Sequence, residues 1–552
     1  MKLRALLLAT LMLPAAAQAK APPVPAIQPV ALNQPALAEM VKTLSSDEFE
    51  GRAPSTVGEQ KTVAYLIDRF KAAGLQPGNK GSWTQDVPIV EITANNVAGL
   101  AITGGTQTML FAPGKDFVAG SYRAVDRTAI ADAELVFVGF GINAPELGWN
   151  DYAGIDMKGK VAVILVNDAD YETATEEGPF KGRRMTYYGR WTYKFEEAAR
   201  QGARGALIVH DTFPAAYGWN VVESSWTGAQ YFVQKPNKGM DQTEANGWIQ
   251  KPVAEAILAA AGQDLTKLTA AAKQRGFKAV PLGLKASLNF DNQLRTAMSK
   301  NVIGIQPGKK RPDEYVLYTA HWDHLGRCKA DAKGDDICNG AVDNATGTAM
   351  LAALAEANVK AGPADRSQVF LAVTLEESGL LGSEYYGANP VYPLAKTVGG
   401  VNMDALSPGS ASRDFEVVGG DKSELTRYVN AVTKAMGLRQ SAESDIERGY
   451  YYRSDHFSMA KRGVPMFNLG RGNDWVKGGK EAGEAAAARY NKEAYHGPAD
   501  EFDPNWDWSG MLQDGDLFYR LGRSLAMTSD WPNWHPTDEF RAIRDKSLKG
   551  GK

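Results

Sequence analysis

Cysteine is nearly missing. Two occur in 552 residues, Cys328 and Cys338, and a lone close pair is poor material for a thiolate zinc site. Neither sign of charge is in excess. A formal net charge of −3 leaves no basic footprint for nucleic acid or for an anionic membrane surface. Long apolar runs are absent after the first residues, so no later segment is suited to cross a bilayer. Tandem repeats are absent too, and the only biased tracts are a Pro-rich leader, APPVPAIQPV, and the alanine-rich EAAAAR. Histidine is scarce, with six in the chain, which gives weight to where each one falls.

The chain is too long for one ordinary domain, and its mixed charge and apolar content are those of a globular protein of two or three domains. Its first residues differ. MKLR is positive, ALLLATLML is a short apolar run, and Ala17-Gln18-Ala19 offers a small-x-small cleavage pattern. Residues 1–19 therefore read as a signal peptide, and the mature protein is expected to be soluble and periplasmic or secreted. In an oxidising compartment Cys328 and Cys338, in RCKADAKGDDICNG, read as a disulfide closing a short polar loop.

The apolar periodicity of EQKTVAYLIDRFKAAGLQPG, with Val63, Leu66, Ile67 and Phe70 on one face, predicts a helix stopped at Gly74. From about Ala131, ELVFVGFGI, GKVAVILVND and ALIVHD read as strands around a helix in KFEEAARQGARG. SLNF and KNVIGIQPG follow. Then VLYTA, VFLAVTL, VGGVNMD and VPMFNLG alternate with long helical patterns. That alternation predicts an α/β fold: a mostly parallel or mixed sheet flanked by helices.

In such sheets ligands collect at the carboxyl ends of the strands. His321-Trp322-Asp323-His324 follows VLYTA, and Asp343 stands before the next helix. Glu376 and Glu377 follow VFLAVTL, Asp404 follows VGGVNM, and His496 lies in AYHGPADE. Singly each is weak: Asp343 suits a helix N-cap and His321 a structural role. Jointly, two imidazoles and three carboxylates after successive strands suit a two-metal centre, with zinc favoured by the mixed nitrogen and oxygen donors. Asp323, two residues from His321, is placed to accept from its free ring nitrogen. Adjacent residues of a strand face opposite ways, so Glu376 and Glu377 serve one site only if the chain bends, and Ser378-Gly379 suits that bend. One glutamate then ligates while the other takes a proton from water.

The series resembles the co-catalytic zinc exopeptidase family of secreted bacterial leucyl aminopeptidases and glutamate carboxypeptidases, as do GR-x-P-S-T near Gly51 and the YYRSDHF segment. The resemblance implies two zinc ions, one on His321, Asp343 and Asp404, the other on His496, Asp343 and Glu377. It makes Glu376 the general base and Tyr451, between Tyr450 and Tyr452, the hydrogen-bond donor to the scissile carbonyl oxygen. It also implies a discontinuous catalytic domain, residues 20–130 and 288–545, interrupted at 131–287 by a protease-associated domain, to which the stretch from Leu135 to Asp211 is similar. Two departures stand out: Gly-Pro after His496, and the cysteine loop between His321 and Asp343. His324 and His456 are read as structural or as supporting the ligands from behind and are left out of the metal set, and His210 is given no role.

The expected activity is aminopeptidase action on a peptide or small protein. A carboxypeptidase or dipeptidase would need cations to hold a free carboxylate, and Arg448, Arg453 and Arg471 are candidates. Glutaminyl cyclases share the fold with one zinc, and a related enzyme family carries its added domain after the acid rather than before the first ligand. A receptor-like binding domain is disfavoured because every ligand position is filled.

Overall fold

The computed structural model describes residues 22–550, so the expected signal segment lies outside the described residues. Helix α1 (Val57–Ala73) precedes a long strand β1 (Thr84–Asn95). Strands β2 (Phe117–Gly120), β3 (Arg127–Phe137) and β4 (Val161–Leu165) follow, then helix α2 (Trp191–Arg200), β5 (Gly205–His210) and β6 (Ala245–Gln250). Strand β7 (Val280–Gln306) leads into β8 (Arg311–His321), helix α3 (Gly347–Lys360), β9 (Arg366–Val373) and β10 (Thr397–Asn402). Strand β11 (Met466–Phe467), helix α4 (Gly479–Glu493) and helix α5 (Ser509–Met527) complete the frame.

The main path of the large sheet runs β11-β10-β8-β9-β7-β3-β4-β5-β6-β2. Within it β11, β10, β8 and β9 are mutually parallel. Every residue of β9 and β10 is buried, as expected of parallel strands covered on both faces. Alternation sorts β8. Val316 and Tyr318 pack with Leu351 of α3 and Leu521 of α5, whereas Leu317 joins Val369, Leu371 and Met459 on the other face. Helix α1 buries Val63, Leu66 and Phe70 and ends at Gly74 with φ 87°, the left-handed turn expected there.

SLNF and KNVIGIQPG belong to one strand of 27 residues. The polar stretch between them is held extended by β1, which pairs antiparallel from Asp291 to Val302. The early part of β7 pairs with β3 and its end with β9, so one strand joins both halves of the sheet. The half built on β3–β6 also recruits earlier chain: β2 pairs with β6, and Leu100–Thr103 pairs with β7. Cys328 and Cys338 are disulfide-bonded, with Cα atoms 5.9 Å apart. Among the described residues no helix is long and apolar enough to cross a membrane.

Candidate active site

Because β8, β9 and β10 run parallel, their carboxyl ends share one rim. His321 is the last residue of β8, Glu376 and Glu377 lie just past β9, and Asp404 lies just past β10. Asp343 comes from the irregular turn before α3 and His496 from the turn after α4, where it adopts φ 58°. These side chains meet. His321 Nε2 lies 3.3 Å from Asp343 Oδ1 and 3.1 Å from Asp404 Oδ1. His496 Nε2 lies 3.3 Å from Asp343 Oδ2 and 3.1 Å from Glu377 Oε2. One carboxylate, Asp343, therefore faces both imidazoles, an oxygen to each.

The bend that admits both glutamates starts one residue before them, at Leu375 (φ 57°), and continues through Gly379 (φ 101°). Asp323 fixes it from outside. Its carboxylate accepts from the backbone N–H of Glu376 at 3.1 Å and of Glu377 at 3.4 Å. The expected contact with the His321 ring is made instead by the Asp323 backbone oxygen, 3.2 Å from Nδ1, while the carboxylate stands 3.8 Å away. The carboxylate faces two orphan donors of the turn, and a charged acceptor is better used there than on a ring already served by a carbonyl.

Several supporting residues have no role assigned from the sequence, although Arg52 and Ser454 stand in the GR-x-P-S-T and YYRSDHF stretches. Arg52, fully buried, donates to the carbonyl oxygens of Trp322 (2.9 Å), Leu44 (2.7 Å), Asn339 (2.6 Å) and Gly340 (2.8 Å). It thus ties the loop after β8 to the one approaching Asp343. Gly51 beside it has φ 63°, and a Cβ there would lie 2.4 Å from the Cys338 carbonyl oxygen. Asp500 accepts from the N–H of Val342 (2.9 Å) and Asp343 (3.0 Å). Ser454 donates to Asp404 Oδ2 at 2.6 Å and accepts from Asn402 at 2.7 Å. Tyr495 stacks on the His496 ring at 3.9 Å.

His324, set aside in the sequence, is in the cluster. Its Nδ1 lies 2.6 Å from Glu377 Oε1, and with Asp343 the two form a second metal-compatible triad beside that of His321, Asp343 and Asp404. Its neighbour in the chain hid it: a His one residue after Asp323 faces the opposite side of an extended segment, but β8 has ended and the chain turns.

The donor set fits divalent cations. Ring nitrogens and carboxylate oxygens 3.1–3.3 Å apart match the roughly 3.3 Å edge of a tetrahedron whose ligands sit about 2.0–2.1 Å from zinc. The electrostatics ask for positive charge. Burial, reinforced by Asp404, Asp455 and Glu377, pushes Glu376 well above the usual carboxylate range. Burial also lifts Asp455 to about 7. Glu377 is drawn down to about 2, against the effect of burial, by His324 and His496. His496 rises to about 10 against burial because Asp343 and Glu377 accept from it. Imidazoles held this tightly by carboxylates occupy places a metal ion takes with the same atoms.

A cleft of about 1570 Å³ opens over Glu376, Glu377 and His496, walled by Tyr122, Trp191 and Trp226 from the β3–β6 half. Tyr452 and Arg453 line it and Tyr451 does not. Tyr451 corrects the expectation from the sequence. It points into a separate void of about 30 Å³, its ring under Lys422 Nζ at 5.5 Å and against His456 at 4.7 Å, its hydroxyl buried without a partner. Three consecutive tyrosines on a tight turn, Tyr450–Tyr452, must point three ways, and the Lys422 cation takes the middle one. Of the three arginines singled out for a carboxylate, Arg448 pairs outside with Asp445 at 3.7 Å. Arg471 is engaged by the carbonyls of Ser407, Gly409 and Ser410. Arg453 alone reaches the cleft.

Residues 301–520 match the model of Peptidase family M28. A glutamate carboxypeptidase 2 homolog from Caenorhabditis elegans is 34% identical over 142 residues, 25% of this chain and 17% of that protein. Aminopeptidase YwaD of Bacillus subtilis (strain 168) is 38% identical over 111 residues, 20% of each chain. The chain thus spans a fifth or less of the length of these two curated relatives. Among solved structures, an aminopeptidase from Aneurinibacillus sp. strain AM-1 is 21% identical, aligned over 91% of this chain and 95% of that one with a TM-score of 0.47. The family match runs across every residue of the clustered site, from His321 to His496.

Proposed function

We propose that this protein is an exported two-zinc exopeptidase that acts as an aminopeptidase. His321, Asp343 and Asp404 would hold one ion, and His496, Asp343 and Glu377 the other, with His324 orienting Glu377. The observation that carries this reading is the Asp343 carboxylate, which presents one oxygen to His321 and the other to His496. When bound, such ions supply an acidified water and a Lewis-acid contact for the scissile carbonyl. Glu376 takes the proton of the attacking water on its carboxylate and delivers it to the leaving amine. Its burial among carboxylates makes it a stronger base than a solvated glutamate, and Asp323 holds its backbone in place. The stretch from 131 to 287 fits a protease-associated insertion whose aromatic residues narrow the entrance. Export is supported by the first nineteen residues and by the disulfide.

Purified mature protein should contain two zinc ions per chain and release leucine from leucyl-anilide but not from its N-acetyl form. Full zinc occupancy without anilide hydrolysis would remove the aminopeptidase reading. Arg453 in the cleft favours one second reading, a dipeptidase that holds a free carboxylate.

A further inference from the structure

We propose that the open edge of the strand Ala229–Val233 binds the part of a substrate that follows the scissile bond, as one added antiparallel strand. This rests on the aminopeptidase reading and narrows it to a substrate class, peptides with an extended tail held by its backbone.

The strand Ala229–Val233 pairs with β1 alone, and the other edge of β1 is taken by β7. The N–H of Gln234 donates to the Pro88 carbonyl oxygen at 2.8 Å, which fixes the phase of the ladder. In an antiparallel pair, alternate residues turn their N–H and C=O to the partner. Gln230 and Phe232 therefore face β1, whereas Tyr231 and Val233 aim both backbone groups outward. Among the described residues no backbone group bonds to those outward groups.

This edge lies along the cleft over the site. The five residues alternate between faces, yet all of them line the cleft together with Glu376, Glu377 and His496, as they must where a cleft follows the edge itself. The Val233 end is fixed beside the proposed general base. Val233 packs with Leu375, Leu381 and Ile89, and Leu375 directly precedes Glu376. Ala229 lies about 13 Å farther out, at about 3.3 Å per residue. The Phe232 face is closed by Tyr122, ring centroids 4.7 Å apart, and Tyr122 stacks on Trp226 at 6.4 Å. With aromatic rings on one face and Leu375 and Leu381 on the other, the open direction is the edge. The cleft of about 1570 Å³ also exceeds the roughly 300–1,000 Å³ of a small-molecule pocket.

A row of unpaired N–H and C=O groups is a template for another strand, and folded proteins ordinarily blunt it with Lys, Pro or a bulge. The run AQYFV has no Lys or Pro and pairs with β1 without a register shift. Main-chain pairing at such an edge holds a peptide with little regard for its side chains, which suits a hydrolase of varied sequences. Direction follows from the site. The strand runs from Ala229 toward Glu376, whereas a substrate entering amino end first runs away from it, so the added strand is antiparallel.

The measurement is kcat/KM of the zinc-loaded protein for Leu-Ala-Thr-Val-Thr-Val-amide and for two N-methylated forms, with leucyl-anilide as the reference that has no tail. One form is methylated at the third and fifth residues, the other at the fourth and sixth. A single series can turn its N–H groups to the edge, so the two forms should differ at least fivefold, chiefly through KM. Equal values overturn the proposal, and this comparison needs no altered protein. Tyr231→Pro removes one outward N–H and no bond to β1. It should lower kcat/KM for the unmethylated peptide at least threefold and leave leucyl-anilide within about twofold, while Tyr231→Ala, which keeps the N–H, should leave both within about twofold. A peptide value unmoved by Tyr231→Pro overturns the proposal. So does a dimer in sedimentation that Tyr231→Pro converts to monomer with peptide hydrolysis unchanged, since the edge then belongs to a second copy of the chain. If the wild type cleaves neither peptide nor anilide, the aminopeptidase reading fails. Titration calorimetry then judges the edge alone: the two methylated peptides should differ at least fivefold in affinity, and equal binding overturns it.

Discussion

Arg52 is the side chain on which the site's backbone depends most. Its guanidinium is wholly buried and donates to four carbonyls from three separate stretches of chain. Burial lowers it to about 10, opposed first by Asp500 and then by Asp343, so it stays charged at neutral pH. A hydrogen bond to a charged group contributes roughly 1.5–3 kcal/mol, and an orphaned buried acceptor costs about 1–3 kcal/mol. Replacement by methionine strands four carbonyls at once, about 4 kcal/mol even at the lowest value and about 12 kcal/mol at the highest. Typical total stability is about 5–15 kcal/mol, so that variant is not a usable probe. Arg52→Lys is. An ammonium has three donors and no planar fork, so at least one carbonyl loses its partner and the others are met at poorer angles. The expected loss is about 2–4 kcal/mol in urea unfolding. Because the same carbonyls flank the segments bearing His321 and Asp343, zinc affinity by calorimetry should fall about 10–100-fold. If Arg52→Lys unfolds at the wild-type urea concentration and binds zinc as tightly, the clamp is not what holds the two loops.

Glu376→Gln should keep its full complement of zinc by elemental analysis while anilide turnover falls about 10²–10⁴-fold. Near-normal turnover would assign the proton transfer elsewhere. His456 tests the buried imidazole outside the cluster: burial drives it down to about 3. The folded state therefore binds no proton where the unfolded chain does, and stability is intact above pH 6.5 and lost as pH falls toward 3, at about 1.4 kcal/mol per unit. In urea titrations the stability advantage of wild type over His456→Gln should shrink at that rate below pH 6.5. A constant gap between pH 7 and pH 4.5 would show that His456 is not held neutral.

The parts of this molecule that were legible share a cause. Strands β8, β9 and β10 are buried toward their carboxyl ends and reach them through VLYTA, VFLAV and VGGV, so the polar residues that follow stand out. That contrast makes His321, Glu376, Glu377 and Asp404 distinct from their neighbours, and the parallel course of the three strands brings them to one rim. Strand β7 looks like two separate strands in sequence because its middle, DNQLRTAMSK, has no apolar run. Its extension comes from pairing with β1, a partner about two hundred residues earlier, and pairing leaves no mark on composition.

The residues that escaped the reading act through backbone groups or through distant partners. Arg52 lies in the GR-x-P-S-T stretch that carries the resemblance, but its role, like that of Asp500, is to bind carbonyl or N–H groups of the backbone, so nothing at the other end of the contact identifies the partner. Tyr451 was misplaced because direction within a turn of three tyrosines is decided by Lys422, nearly thirty residues before it.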